Sequence, residues 1–326
     1  MSKPTTPIIV GTRGSELALV QAASTEAALA AAFPDREIIR KVITTTGDRR
    51  TDVPLSEVAK SEGTFDKGVF IKEIEEALAA GEIDIAVHSL KDLPTKLEPC
   101  FTLAAVLERA PIRDVLIIRR DNALTNLAEN LADHINALPA NSVVGTGSVR
   151  RAKQVEWLRS DIVVTDLRGN VPTRLRKLAE TNTYDAIILA EAGLVRLGHI
   201  TAGDAIEEIA GMPQLIAIRL AEKDFFPAAG QGAIGLQVRT DDATNRSIAK
   251  AIGHRESWLR ITAEREFLRL LDGGCHTPVG VYSSICGDVI SIKARVFPDA
   301  GGHPKSGEAH GTDPINLALE LFKSLS

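Results

Sequence analysis

The stretch IIVGTRGSELALVQA, residues 8–22, changes period halfway along its length. Ile8, Ile9 and Val10 form a short β-branched run that stops at Gly11, and from Ser15 onward the apolar residues recur at helical spacing. The segment therefore predicts a strand, a glycine turn and a helix that begins at a serine able to cap it.

Outward from there the unit repeats. Strands are predicted at 7–11, 36–44, 83–88, 115–118, 142–145, 162–165 and 184–190, with helices at 15–33, 68–80, 149–158 and 172–180 between them. In the second helix Phe70, Ile71, Ile74 and Leu78 share one face, and Gly81 supplies a stop. Alternation of this kind is the pattern of an α/β fold with largely parallel sheets. IIVGTRGSELAL echoes SVVGTGSVRRAK, and DIAVHSLKDL echoes DAIILAEAGL, which suggests two similar α/β domains. After about residue 250 the pattern changes to a helix over 256–271, a GGC turn and short strands in VGVYSSICG and VISIKARVF, predicting a smaller α+β domain.

The chain has 326 residues, 44% of them hydrophobic and 25% charged, enough to build cores in two or three domains. MSKPTTPIIV has no basic segment followed by a long apolar run, and no later stretch approaches a membrane span, so a cytoplasmic protein without a membrane segment is expected. The net charge of -5 argues against a general nucleic-acid surface. Cys100, Cys275 and Cys286 form no C-x-x-C pair, so neither a disulfide framework nor a metal site is expected, and packing is the default reading of a cysteine here.

Three turns place glycine, hydroxyl groups and arginine where helices begin: Gly11–Ser15, Gly145–Arg151 and Leu167–Arg174. Unpaired N–H groups and the helix dipole favour anions at such positions, and open α/β sheets gather them at the carboxyl ends of their strands. Ser15 and Ser148 serve equally as plain N-caps, and a single arginine as a solvated charge. None of the three turns is a P-loop or a G-x-G-x-x-G turn, and the arginines suit carboxylates better than nucleotide phosphates. In IDIAVHSLKDLPT, residues 83–95, Asp84 reads as structural and His88 as a packed, hydrogen-bonding residue. Asp92 follows the strand and either reaches the arginine turns or acts locally, as a cap or as the partner of Lys91.

These segments, with TTTGD, KGVFIKEIEEAL, DAIILAEAGLVRLG, PAAGQGAIGLQVR, TAEREFL and GGCHTPVG in the same order, resemble the porphobilinogen deaminase (hydroxymethylbilane synthase) family of tetrapyrrole, porphyrin and heme biosynthesis. The resemblance implies a transferase that adds four porphobilinogen units, with loss of ammonia, to a dipyrromethane primer and releases hydroxymethylbilane by hydrolysis. The primer would be a covalent cofactor on Cys275 through a thioether. Asp92 would be the catalytic carboxylate, stabilising positive charge as it develops on the pyrrole rings. Cofactor and substrate carboxylates would be held by Arg13, Ser15, Gln21, Lys67, Lys72, Ser89, Lys91, Thr146, Ser148, Arg150, Arg151, Arg168, Asn170, Arg174, Gly193 and Arg196. Gly147 departs from the family, standing where a hydroxyl residue is common.

The resemblance also implies two lobes like those of periplasmic binding proteins flanking a cleft. Residues 1–110 with 230–249 would form the first and 111–229 the second, with 250–326 a third domain carrying the cysteine. GAIGLQVR would rejoin the first domain's sheet. A monomer with no nucleic-acid or membrane partner is expected, its product passing to uroporphyrinogen-III synthase. Two rivals fit the turns alone: a module that captures a polycarboxylate without transforming it, and an acyltransferase with Cys275 as nucleophile. Cys275 together with Asp92 favours the deaminase.

Overall fold

The structure is a computed structural model that describes residues 6–46, 68–120, 135, 138–203, 205–271, 278–298 and 301–325. In chain order it begins with β1 (Ile8–Arg13), α1 (Glu16–Ala32), β2 (Ile38–Ile43), α2 (Gly68–Ala79) and β3 (Ile85–Ser89). A single 3-10 turn, Leu90–Asp92, leads to β4 (Phe101–Val106). Next come β5 (Asp114–Arg119), β6 (Val143–Gly145), α3 (Val149–Leu158), β7 (Val163–Thr165), α4 (Val171–Glu180), β8 (Ala186–Ala190) and α5 (Glu191–Arg196). The hairpin-like pair β9 (Ile206–Ile209) and β10 (Met212–Arg219) precedes β11 (Ile234–Arg239), α6 (Ala243–Ala251) and α7 (Arg255–Leu270). The chain closes with β12 (Val279–Cys286), β13 (Val289–Val296), β14 (Lys305–Gly311) and α8 (Pro314–Leu325). None of the described helices is long and apolar enough to cross a membrane.

Two compact units emerge, Met1–Ala110 with Ala233–Thr262, and Pro111–Gly232 with Ala263–Ser326. In the first, the described strands form one sheet in the order β2-β1-β3-β11-β4. β1, β2 and β3 are parallel, while β11 runs antiparallel to both β3 and β4. The sheet is thus mixed rather than largely parallel, because β11 enters it on the chain's return from the second unit. GAIGLQVR does rejoin the first sheet, as expected from the sequence. Val10, Ile85, Val87, Leu236 and Val238 bury one face with Leu29 of α1 and Ile248 of α6. Ile74 and Leu78 of α2 cover the other with Ile83, Ala86 and Phe101.

The second unit has a sheet in the order β7-β6-β8-β5-β10-β9, parallel across β7-β6-β8 and antiparallel thereafter. Both faces are covered. Leu116 and Ile118 belong to one core cluster, while Val115 and Ile117 belong to another with Leu175 and Leu178 of α4. Burial on both sides explains why VLII reads as an unbroken apolar run instead of an alternation.

The same unit contains the antiparallel sheet β12-β13-β14, whose β14 Lys305 Nζ donates to Leu325 O at the end of α8. β12 is joined to the segment before the chain returns to the first unit: Val281 N donates to Pro227 O at 2.8 Å. A Cβ on Gly280 would lie 2.5 Å from Phe226 Cβ and 3.1 Å from Phe226 O. The obstruction is backbone and side-chain root, which cannot swing aside. Gly280→Ala is therefore expected to cost about 1–3 kcal/mol of overpacking and to lower the midpoint of thermal unfolding; an unchanged midpoint would contradict this packing.

Candidate functional site

In the first unit, β1 and β3 are parallel neighbours, so the residues after them emerge at the same sheet edge. Arg13 ends β1 and is half-buried. Ser15 caps α1, its Oγ accepting from Ala18 N at 3.4 Å, which places the cap and the proposed ligand hydroxyl in one residue. The buried Gln21 of α1 donates Nε2–H to Ser89 Oγ at 2.8 Å, fixing α1 against the end of β3. Lys91 and Asp92 follow in the 3-10 turn. Asp92 is half-buried, and its carboxylate has no hydrogen-bond or ion-pair partner among the described residues. Neither local role open to it from the sequence, cap or Lys91 pair, is realised here.

His88 is buried and its Nε2 lies 2.8 Å from Gln237 Oε1, in keeping with a packed, hydrogen-bonding role. Asp84 is structural, its Oδ2 accepting from Ile9 N at 2.9 Å. Lys72 is exposed on α2. Lys67 and Cys275 lie outside the described residues.

In the second unit, the loops after the parallel strands β6, β7 and β8 carry the remaining candidates. After β6 come the buried Thr146, whose Oγ1 accepts from Ser148 N at 3.2 Å, and Ser148, the cap of α3. Thr146 N donates to Thr165 O at 3.0 Å and holds the β6 and β7 loops together. A Cβ on Gly147 would lie 3.1 Å from Leu167 O, a tight approach between the two loops. After β7, Arg168 pairs with Asp166 at 2.7 Å, both partly exposed, and Asn170 caps α4 by accepting from Thr173 N at 2.9 Å. Arg174 Nε donates to Gly169 O at 2.7 Å. After β8, Gly193 is buried in α5 and Arg196 closes that helix.

Two of these arginines are buried. Arg150 and Arg151 are 6% and 5% exposed, and both meet the fully buried carboxylate of Asp114. Burial alone would raise the Asp114 pKa, but the charges and hydrogen bonds of Arg150 and Arg151 outweigh it and hold it at about 2. Arg196 differs. Burial lowers its pKa to about 10, its Nη2 donates to Gly232 O at 2.8 Å, and among the described residues it meets no carboxylate. A half-buried cation that meets no acid among the described residues suits an anion.

Several supporting residues escaped sequence reasoning. Asp114 heads the strand DVLIIR, where an acid before an apolar run looks like a surface boundary. Glu191, also fully buried, joins Arg113 at 2.8 Å and Arg219 at 2.6 Å and fixes the start of α5. Glu264 is buried on α7, where it accepts from Gly230 N at 2.8 Å and from Ser283 Oγ. Their common signal is an acid inside or beside an apolar pattern. Cys100 and Cys286, expected to pack, are free and exposed, one in the loop before β4 and the other at the end of β12.

The sequence matches the family described as "Porphobilinogen deaminase, dipyromethane cofactor binding domain" over residues 8–247, and "Porphobilinogen deaminase, C-terminal domain" over residues 258–326. It is 41% identical over 319 residues to a porphobilinogen deaminase of Roseiflexus sp. (strain RS-1), covering 98% of this chain and 95% of that one. It is 44% identical over 322 residues to another of Nitrobacter hamburgensis (strain DSM 10229 / NCIMB 13809 / X14), covering 97% and 92%. Among solved structures, the periplasmic aliphatic sulphonate binding protein SsuA from Escherichia coli aligns with a TM-score of 0.41 at 14% identity, over 83% of this chain and 76% of that one.

The Asp114 cluster has a measurable signature. Its folded-state pKa lies below the unfolded value of 3.8, so its contribution is complete above that value and is lost as pH falls through about 2. Acid unfolding of the wild type should show a loss of about 2 kcal/mol across that window, and Asp114→Asn should lack it; equal acid limbs in the two proteins would contradict the pairing.

Proposed function

The chain belongs to the porphobilinogen deaminase family, and from that premise we propose which of its residues carry the reaction. The activity is the joining of porphobilinogen units, each losing ammonia, on a dipyrromethane primer, with release of hydroxymethylbilane. The observation that carries the assignment of residues is a pair of groups left open among the described residues: Arg196, half-buried and meeting no acid, and Asp92, a carboxylate meeting neither a cation nor a donor. Pyrrole rings that bear acetate and propionate groups and ring N–H donors suit both.

Cys275 would hold the primer through its sulfur. When bound, the dipyrromethane supplies an electron-rich pyrrole whose free α-carbon accepts the next unit. Arg13, Lys91, Arg168, Arg174 and Arg196 bind and orient carboxylates, with Lys67 and Lys72 adding charge from the segment around the start of α2. Arg150 and Arg151 contribute as a pair whose charge Asp114 partly cancels. Ser15, Ser89, Thr146, Ser148 and Asn170 donate hydroxyl or amide hydrogens, Gln21 fixes Ser89, and Gly193 contributes from the buried start of α5. Asp92 accepts hydrogen bonds from ring N–H groups as ammonia departs and positive charge grows on the ring; a carboxylate already in place stabilises that charge without reorganisation. It also serves proton transfer.

The three-domain division, with 250–326 carrying the cysteine, belongs to the same proposal. So do a cytoplasmic monomer and delivery of the product to uroporphyrinogen-III synthase.

Ammonia release and linear tetrapyrrole formation from porphobilinogen test the reading. Asp92→Ala should lower turnover by at least about 100-fold while leaving the folded fraction unchanged. Turnover equal to wild type in that variant would refute the role of Asp92.

A further inference from the structure

Arg150 and Arg151 are adjacent in sequence, yet both guanidinium groups are buried and share one acid. Asp114 Oδ2 accepts from Arg150 Nη1 at 2.7 Å; its Oδ1 accepts from Arg151 Nε at 2.9 Å and from Gln231 Nε2 at 3.1 Å. Gln231 Nε2 also donates to Ile112 O at 2.7 Å, so it clasps the segment that enters this unit from the one that leaves it. Backbone carbonyls take further hydrogens, Phe226 O from Arg150 and Ile188 O from Arg151 at 2.9 Å.

The cluster is incomplete in two respects. Two cations face one anion, so a positive charge is left over in the interior, where a lone charge is costly. Arg150 Nε is buried and has no acceptor among the described residues. A purely structural salt bridge has no reason to leave either, since buried donors are nearly always satisfied.

We propose that Asp114, backed by Gln231, is the positioning residue of the arginine pair: it holds the two guanidinium groups side by side, cancels one of their charges, and leaves one positive charge for a single pyrrole carboxylate. The proposal rests on the reading of Arg150 and Arg151 as carboxylate-binding residues. Without Asp114 the two cations repel and separate, and neither is held where the carboxylate needs it. Gln231 acts one step further out by orienting the carboxylate of Asp114.

The test compares wild type, Asp114→Asn and Gln231→Leu as full-length chains. Steady-state kinetics should show the KM for porphobilinogen raised at least tenfold in Asp114→Asn and about threefold or more in Gln231→Leu, with kcat per folded molecule changed by less than the KM. Equilibrium binding of porphobilinogen to the same variants built on Cys275→Ser should weaken in the same order without any dependence on turnover. KM and binding within twofold of wild type in the folded variants, or a loss confined to kcat and folded fraction, would overturn the positioning role. If Asp114→Asn does not fold, Gln231→Leu decides on the same criteria. A wild type that binds porphobilinogen but does not release ammonia would count against the deaminase reading alone, and the binding series would still judge Asp114.

Discussion

The second unit depends on a carboxylate that water never reaches. Asp114 stands at the head of β5 between Arg150 and Arg151, and its own desolvation is offset only because both guanidinium groups bond to it. Removing one partner of such a cluster strands the others in the interior, a far larger penalty than losing a surface pair. The position of α3, the seating of Phe226 and the route of the segment carrying Gln231 all refer to this one group. Its neighbour Glu191 does the same for the start of α5 through Arg113 and Arg219. Buried acids thus fix the two helices on which Arg150, Arg151 and Arg196 sit.

Function follows from what those acids leave unpaired. In a chain of net charge -5, cations are collected in loops after parallel strands. Most have partial internal partners: Arg168 has Asp166, and Arg174 has a backbone carbonyl. Among the described residues, Arg196 meets only a carbonyl and Asp92 meets nothing. A carboxylate suits the first group and an N–H donor the second. In the proposed reading, covalent attachment through Cys275 would add what ion pairing cannot, since a primer held by a bond stays when the product leaves.

The sequence carried those parts that obey local rules. Ser15, Ser148 and Asn170 each begin a helix at the turn where glycine and hydroxyl spacing places it, and each accepts the capping hydrogen bond. The apolar run VLII marked β5, and GAIGLQVR was recognisable as a strand belonging to the first sheet. Parallel order failed where the chain returns, because direction in a sheet is set by which end the strand enters and not by its composition. Asp114 and Gln231 were missed for a similar reason. They are 117 positions apart, and their meaning lies in a contact at 3.1 Å that no periodicity encodes. Exposed Cys100 and Cys286 show the converse, since hydrophobic character made packing the default while their places beside turns leave them open.

Every role proposed for Cys275 depends on a primer being bonded to the chain. The mass of the intact purified protein decides it: the wild type should exceed its sequence mass by two porphobilinogen units less two molecules of ammonia, and Cys275→Ser should show the sequence mass alone. A wild type that forms the linear tetrapyrrole while carrying no added mass would contradict the covalent primer and, with it, the role assigned to Cys275.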